Sequence, residues 1–369
     1  VASVHAVIDV LGYYFQNDTD SEIQVKAISF NYAGSGAITL YDNINASHIS
    51  PPEYDSSVGV KAAACIMGGS HSVEVEFQAP GSISSAEIWA EGGLGGLRSS
   101  SSAVPVSFSG GIGRARFRIN SPPNSIGKHL FNWNWYYKNI NGASTPSASM
   151  GTTGEHLLYT VYGTPNAPMT TPWLQVIDRA SMWAQGQSTL NGARAQITAA
   201  LNSIADADGD LDYIPRNFYT SGPFSNFQFN LTNFLWDLET RTNMEINCAD
   251  SANALHVHQN ALGLGMQYRI LDIDGYTNYI DPIGNGNIWN STDPVENWGI
   301  TRWSWHAVGW LSGDIFYDAT LHLDDDGMPI APPHTRLSPV NIDSGTYCNL
   351  LTLPETPCNP EQQNICSVY

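Results

Sequence analysis

With 369 residues, 42% of them hydrophobic and 11% aromatic, the chain is too long for one ordinary core and holds enough apolar material for two. Its formal charge of −19, from 15 Lys and Arg against 34 Asp and Glu, opposes binding to nucleic-acid phosphates and to anionic membrane surfaces. Only 13% of residues are charged, so Ser, Thr, Asn and Gly carry the surface polarity, and a secreted or cell-surface protein is expected.

In chain order, Val1 to Phe15 is apolar but lacks a basic n-region and a cleavage site, so it reads as a first strand or the remnant of a preceding module. No apolar run approaches the roughly 18 residues that a membrane-spanning helix needs. Val4 to Val10, Ile23 to Ile28, Val73 to Phe77 and Ala115 to Ile119 alternate apolar and polar residues, the period of a half-buried strand. Gly92 to Gly96, Ser99 to Ser102 and Asn120 to Ser125 punctuate them as turns. Residues 1–163 are therefore expected to form an antiparallel, immunoglobulin-like sandwich.

The Pro-bearing segment from Gly163 to Pro168 follows the last clear strand, Leu157 to Tyr162, and predicts a stiff linker over 164–172. Beyond it the period changes. Trp173, Val176, Ile177, Ala180 and Trp183 recur at helical spacing up to Gly186, and Ala193 to Ile204 repeats the pattern. Helices followed by strands predict an α+β domain over 173–325, leaving 326–369 as an irregular tail that contains cysteines. Asp206, Asp208, Asp210 and Asp212 alternate around Gly209 and offer hard oxygen ligands, a candidate Ca2+ loop. The glycine stands before the third acidic position rather than after it, and no bidentate Glu follows, so a solvated acidic turn is the competing reading.

Asn247 precedes Cys248, and Ala249, Ala252, Leu255 and Leu262 follow at helical spacing, which puts the cysteine at the head of a helix capped by Asn247. Unpaired N–H groups and the helix dipole there favour a thiolate, the form that attacks carbonyl carbon. Met266 to Asp272 alternates as a strand leaving that helix. Farther on, Trp303 to Trp310 and Asp314 to Thr320 flank Leu311-Ser312-Gly313, a loop suited to a hairpin. If Trp310 and Asp314 close it, His306 and Asp318 face one another across the strands, so the carboxylate can orient the imidazole.

Asn247-Cys248 through Leu262-Gly263, then Trp305-His306-Ala307-Val308, then Phe316-Tyr317-Asp318-Ala319-Thr320 resemble the transglutaminase-like superfamily over about residues 170–325. The resemblance implies a papain-like α+β core, a catalytic triad of Cys248, His306 and Asp318, and acyl transfer through a thioester without a required cofactor. The sequence departs from the family in having Asn247 where a Gly is common. The oxyanion-hole side chain is not identifiable, leaving the Cys248 N–H as default donor and Asn247, Trp236, Asn233 and Trp305 as candidates for the hole or the cleft. Trp289 and Trp298, in a long Asn- and Gly-rich insertion over 277–301, are candidates for the cleft wall or for packing. His256 and His258 fall on different sides of a helix and read as packing or surface residues, and His322 as a neighbour of the Asp318 strand.

Reserving Cys248 leaves Cys65, Cys348, Cys358 and Cys366, an even set with three pairings for two disulfides, which agrees with export. Hydrolysis of a protein or peptide amide, as a peptidase or amidase, is the preferred expectation, because nothing specifies an amine-acceptor site. Amine transfer by a crosslinking transglutaminase is the second. A structural or adhesive protein is the third, assembling through its N-terminal β-domain by strand addition of Val1 to Phe15 and carrying a vestigial catalytic domain.

Overall fold

The computed structural model describes residues 22–98, 103–140, 147–208, 211–213, 219–221, 228–240, 244–283, 298–327, 334–361 and 367–369. The expected strand at Val4 to Val10, the assembly segment Val1 to Phe15, Trp289 and Cys366 lie outside them. So does the centre of the acidic run, Gly209 and Asp210; Asp206, Asp208 and Asp212 are described in backbone only.

The N-terminal half is built from β1 (Gln24–Ser29), β2 (Ala62–Ile66), β3 (Ser72–Gln78), β4 (Ser85–Gly92), β5 (Leu97–Arg98), β6 (Ile112–Ile119), β7 (Gly127–Asn139) and β8 (Ala148–Val161). After two short strands at one edge, they pair as one continuous path, β1-β3-β6-β5-β4-β7-β8-β2, with Val104–Ser107 added to β4. Strands distant on that path share one core. Phe77 of β3 meets Trp135 of β7 at 5.6 Å between ring centroids, and Phe117 of β6 meets the same ring at 5.5 Å. The sheet therefore curls over and closes an aromatic interior, with Phe30 stacked on Trp133 at 5.8 Å. Its inward residues alternate along each strand, as in Val73, Val75 and Phe77, which are wholly buried.

β8 and β2 pair in parallel, Leu157 with Ala62 through Val161 with Ile66. Both faces of this pair are covered. Ala63, Cys65 and Leu158 belong to the aromatic core just described, whereas Ala62, Ala64, Tyr159 and Val161 belong to a second core that surrounds the helices. The small side chains of β2 allow the two cores to approach across one shared wall, so its strand reads as an apolar run instead of an alternation.

The second half contains α1 (Leu174–Trp183), α2 (Leu190–Asp208), β9 (Leu211–Tyr213), α3 (Leu231–Thr240), β10 (Met244–Ile246), α4 (Cys248–Ala261), β11 (Gln267–Tyr276), β12 (Ile280–Pro282), β13 (Arg302–Leu311), β14 (Ile315–Tyr317), β15 (Leu321–Asp324), β16 (Val340–Asp343), α5 (Ser344–Leu351) and β17 (Asn359–Glu361). All residues of α4 are buried, its Ala and Leu as well as Asn253, His256, His258 and Gln259. It is a central helix, packed on a five-stranded sheet of order β16-β14-β13-β11-β17. Gly309 lets it approach. A Cβ there would come within 2.8 Å of Leu255 and 2.9 Å of the Met266 sulfur.

The start of the segment expected as a stiff linker, 164–172, lies against this helix. Tyr162 and Gly163 donate backbone hydrogen bonds to the Leu262 carbonyl, and Asn166 to the Asn260 carbonyl. Gly263 takes the left-handed conformation that ends α4, φ +74°, with its Cα side against Gly163, where a Cβ would lie 2.4 Å from the backbone. The expected irregular tail supplies β16, α5 and β17, including both edges of the central sheet. Short-range pattern hides this, because β16 and β17 gain their pairing only from strands far back in the chain. No helix among the described residues is long and apolar enough to cross a membrane.

His156, His256 and His258 sit inside these cores, where burial holds each imidazole down to about 4. An unfolded chain has imidazoles near 6.5. It therefore takes up protons that the fold refuses, and the stability these groups contribute is complete above about pH 6.5 and is lost as pH falls through 4. One such shift is worth on the order of 3 kcal/mol. His156→Gln, which retains a partner for Thr153, should flatten the fall of the thermal midpoint between pH 6.5 and pH 4. An equally steep fall in the variant would contradict a neutral buried His156.

Candidate active site

Cys248 is the first residue of α4 and is buried, 4% exposed. Asn247, in extended conformation, caps the helix: its side-chain oxygen accepts from Asp250 N at 2.9 Å, and Asp250 Oδ2 accepts from Asn247 N at 3.2 Å. This reciprocal box satisfies two otherwise unpaired groups and fixes the entry of the chain into the helix. Asp250 does more. Its other oxygen accepts from Tyr219 N at 3.1 Å and Thr220 N at 2.7 Å, so the segment beside the helix start is pinned to it. Burial raises the Asp250 carboxyl above its ordinary range in spite of these donors.

The hairpin between β13 and β14 differs from expectation by two residues. Leu311 pairs with Ile315 and Gly309 with Tyr317, so the loop is Ser312-Gly313-Asp314, with Asp314 as its left-handed last residue at φ 56°. This register would set Thr320, not Asp318, opposite His306. A slip of two leaves every side chain on its original face, because the strand period is two. β14 stops at Tyr317, and Asp318 turns out of the ladder, donating its N–H to the Pro339 carbonyl at 2.8 Å. Its carboxylate thereby reaches the imidazole.

His306 Nε2 donates to Asp318 Oδ2 at 2.9 Å, with both side chains wholly buried. Thr320 N donates to Oδ1 at 2.7 Å, and the Tyr347 hydroxyl donates to Oδ2 at 2.6 Å. Burial opposes charge on His306, but the Asp318 charge and hydrogen bond, aided by the Cys248 contact, outweigh it and raise the imidazole to about 10. Burial pushes the Asp318 carboxyl up, and the His306 charge with these hydrogen bonds brings it below its ordinary value. The second ring nitrogen, Nδ1, is buried without a well-formed hydrogen bond, while the Cys248 thiol stands close enough to act on the ring. Trp303 lies flat on the imidazole, centroids 4.9 Å apart and planes 14° apart. Such a group holds a thiol, a tautomer-fixed imidazole and a carboxylate in one dry place.

Three side chains of this group are not evident from the sequence. Tyr213 comes from β9, which runs parallel to β10 with Tyr213 beside Ile246, and its hydroxyl is hydrogen-bonded to the Cys248 thiol. Burial, then the Cys248 contact, lifts that hydroxyl well above its ordinary value, so it remains a donor. Its ring adjoins Trp303 at 6.2 Å. Trp303 and Tyr347 are the others. An alternating aromatic strand signals Trp303 only as core, and nothing local signals Tyr213 or Tyr347.

The remaining candidates are distributed differently. Trp236 is 66% exposed on the outer face of α3 and Asn233 is exposed beside it, while Phe234 and Leu235 of that helix face inward. The structure therefore does not bring Trp236 or Asn233 into the buried group. Trp305 is half-buried on β13 opposite Asp272. Trp298 is fully buried against His334, a packing role. His322 belongs to β15, which pairs with β12 in a separate sheet, and lies 3.7 Å from Asp281. Among the described residues, ligand atoms of Asp324, Asp326 and His334 converge within 4.8 Å. Asp324 there already accepts from His334 Nδ1 at 2.7 Å and Thr335 N at 2.9 Å. Cys348 is disulfide-bonded to Cys358, one of the pairings the sequence allowed, and among the described residues Cys65 is a free buried thiol. Cys65 faces the aromatic core from β2, where no other described cysteine can reach it.

No family model matches the chain, and no curated protein matches it. Among solved structures it is similar to a red sea bream transglutaminase at 12% identity and a TM-score of 0.35, over 72% of this chain and 50% of that one. The chain spans half the length of that protein.

Asn247→Ala removes the acceptor of the Asp250 N–H and one half of the capping box. It should destabilise the fold by about 1 kcal/mol, measured by urea denaturation at pH 7. A larger loss with Asn247→Asp, which retains the acceptor, than with Asn247→Ala would refute the capping role.

Proposed function

We propose that this chain is a cysteine-dependent acyl-transfer enzyme of transglutaminase-like kind, with Cys248 as nucleophile, His306 as proton carrier and Asp318 as the group that orients and charges the imidazole. The observation that carries the reading is the buried His306–Asp318 pair at 2.9 Å, lying against the thiol at the head of a capped helix. In the reaction His306 draws the proton from Cys248, the sulfur attacks an amide carbonyl, and His306 returns the proton to the leaving amine. The N–H groups of the first helical turn, with the Tyr213 hydroxyl, are suited to receive the negative oxygen.

Water as the second acceptor makes the enzyme a peptidase or amidase, and this remains the preferred reading. An amine acceptor makes it a crosslinking enzyme, and release of ammonia with incorporation of a labelled amine distinguishes the two. We read the aromatic core as a β-domain and the core around α4 as the catalytic domain, with the shared strands β8 and β2 between them. The Cys348–Cys358 disulfide favours an exported protein.

Cys65 supplies an internal reference for the chemistry. It is as buried as Cys248, 5% against 4% exposed, but burial drives its thiol up to about 12. Access being matched, iodoacetamide at pH 7 followed by peptide mapping should label Cys248 about tenfold faster than Cys65, as expected of an imidazole-activated thiol. His306→Ala should abolish the difference. Equal labelling of the two cysteines in the native protein, or indifference to His306→Ala, would falsify the catalytic reading.

A further inference from the structure

The Asp318 oxygen that accepts from His306 accepts a second hydrogen bond, from Tyr347. Tyr347 stands on α5, in the last tenth of the chain, beyond every segment that supplies the thiol, the imidazole or the carboxylate. Its ring is wholly buried, edge-on to Phe316 of β14 at 5.3 Å and 85°. Nothing in packing requires a hydroxyl there; a phenyl ring fills the same space. A hydroxyl buried at this point is retained only if it is bonded, and its acceptor is a carboxylate.

The route by which the tail delivers this hydroxyl is itself closed at both ends. β16 pairs with β14 along Phe316 and Ile342, at one edge of the central sheet. Asp343, the last residue of β16, caps α5, accepting from Thr346 N at 2.9 Å and Thr346 Oγ1 at 2.7 Å. The helix carries Tyr347 to Asp318, and the next residue, Cys348, is bonded to Cys358. β17 then joins the opposite edge, Pro360 beside Leu271, and Leu271 is the cross-strand neighbour of His306. The disulfide thus links the helix that touches Asp318 to the strand that flanks the His306 ladder.

Resting on the catalytic reading above, we infer that Tyr347 is a positioning residue, held on Asp318 by the disulfide-closed tail, which fixes the carboxylate and through it the orientation of the His306 ring. Asp318 Oδ1 is set by Thr320, and Oδ2 without Tyr347 is set by the mobile partner alone, the imidazole that moves its proton during reaction. With Tyr347 in place the carboxylate is anchored at both oxygens before the imidazole binds. The charged and titratable groups around it are His306 on β13, Cys248 on α4 and Tyr213 on β9.

The test uses the full chain and the rate of Cys248 alkylation by iodoacetamide between pH 5 and pH 9, with Cys65 as reference. Tyr347→Phe should slow Cys248 labelling at pH 7 about tenfold, the effect of losing one hydrogen bond to a charged acceptor, and move the acid limb of the profile upward. Asp318→Asn should slow it further, and the double variant Tyr347→Phe with Asp318→Asn should react no more slowly than Asp318→Asn alone, because Tyr347 acts through Asp318. The paired variant Cys348→Ser with Cys358→Ser should reproduce the Tyr347→Phe profile. Circular dichroism in the near ultraviolet identifies any variant that has lost its fold, and Tyr347→Phe retains the ring that packs on Phe316. Native labelling for Tyr347→Phe, or additive losses in the double variant, would overturn the positioning role. A native profile for the paired serine variant would overturn the part assigned to the disulfide. If His306→Ala and Asp318→Asn also leave Cys248 labelling unchanged, the catalytic reading itself has failed, an outcome separate from native behaviour of Tyr347→Phe alone.

Discussion

A carboxylate wholly buried in a protein interior is tolerated only where donors replace the water it has lost, since the effective penalty for an unpaired buried charge is several kcal/mol. Asp318 meets that requirement from three directions: the imidazole on β13, the backbone of the turn at Thr320, and the hydroxyl on α5. Each donor constrains one element. β14 must end at Tyr317 so that Asp318 leaves the ladder, β13 must stand at its side in the observed register, and the tail must fold back across the sheet. The arrangement of the central sheet follows from satisfying this one group.

The same logic explains why the helix that bears Cys248 is buried on all sides. A helix start leaves N–H groups unpaired, and burying that start without partners is destabilising. Asn247 and Asp250 satisfy part of the set between themselves, and Asp250 extends the network to Tyr219 and Thr220. A dry, capped helix start beside an imidazole raised to about 10 brings a thiol, an imidazole and the positive end of a helix together.

The shared wall of β8 and β2 carries a different constraint. Alternate residues of one strand pair serve two cores, so Ala62 and Ala64 touch the helical half while Ala63 and Cys65 touch the aromatic half. Packing at close-packed density on both faces accounts for the run of small residues. It also ties the position of α1 to the sheet: Tyr159 donates to Asp178 at 2.5 Å, and Lys128 pairs with the same carboxylate at 2.7 Å.

Local pattern was sufficient for the elements that depend on neighbours in sequence. The helix at Cys248 and its Asn247 cap, and the strands at Val73 to Phe77 and Trp303 to Trp310, follow from periods of 3.6 and two. His306 and Asp318 meet although the hairpin register differs by two, because Asp318 leaves the ladder after Tyr317 and its carboxylate turns to the imidazole. Other features had no local signature. The curled path of the N-terminal sheet, the tail strands at both edges of the central sheet, and the arrival of Tyr213 and Tyr347 at the buried group depend on pairing between segments far apart in the chain. Trp236 and Asn233 show the converse, since residue type suits them to a cleft while the packed face of α3 turns them outward. Sequence determines which side of its own element a residue occupies, through the geometry of the backbone. Which elements meet is decided by the burial of whole faces and the satisfaction of buried polar groups, and only the folded chain provides both.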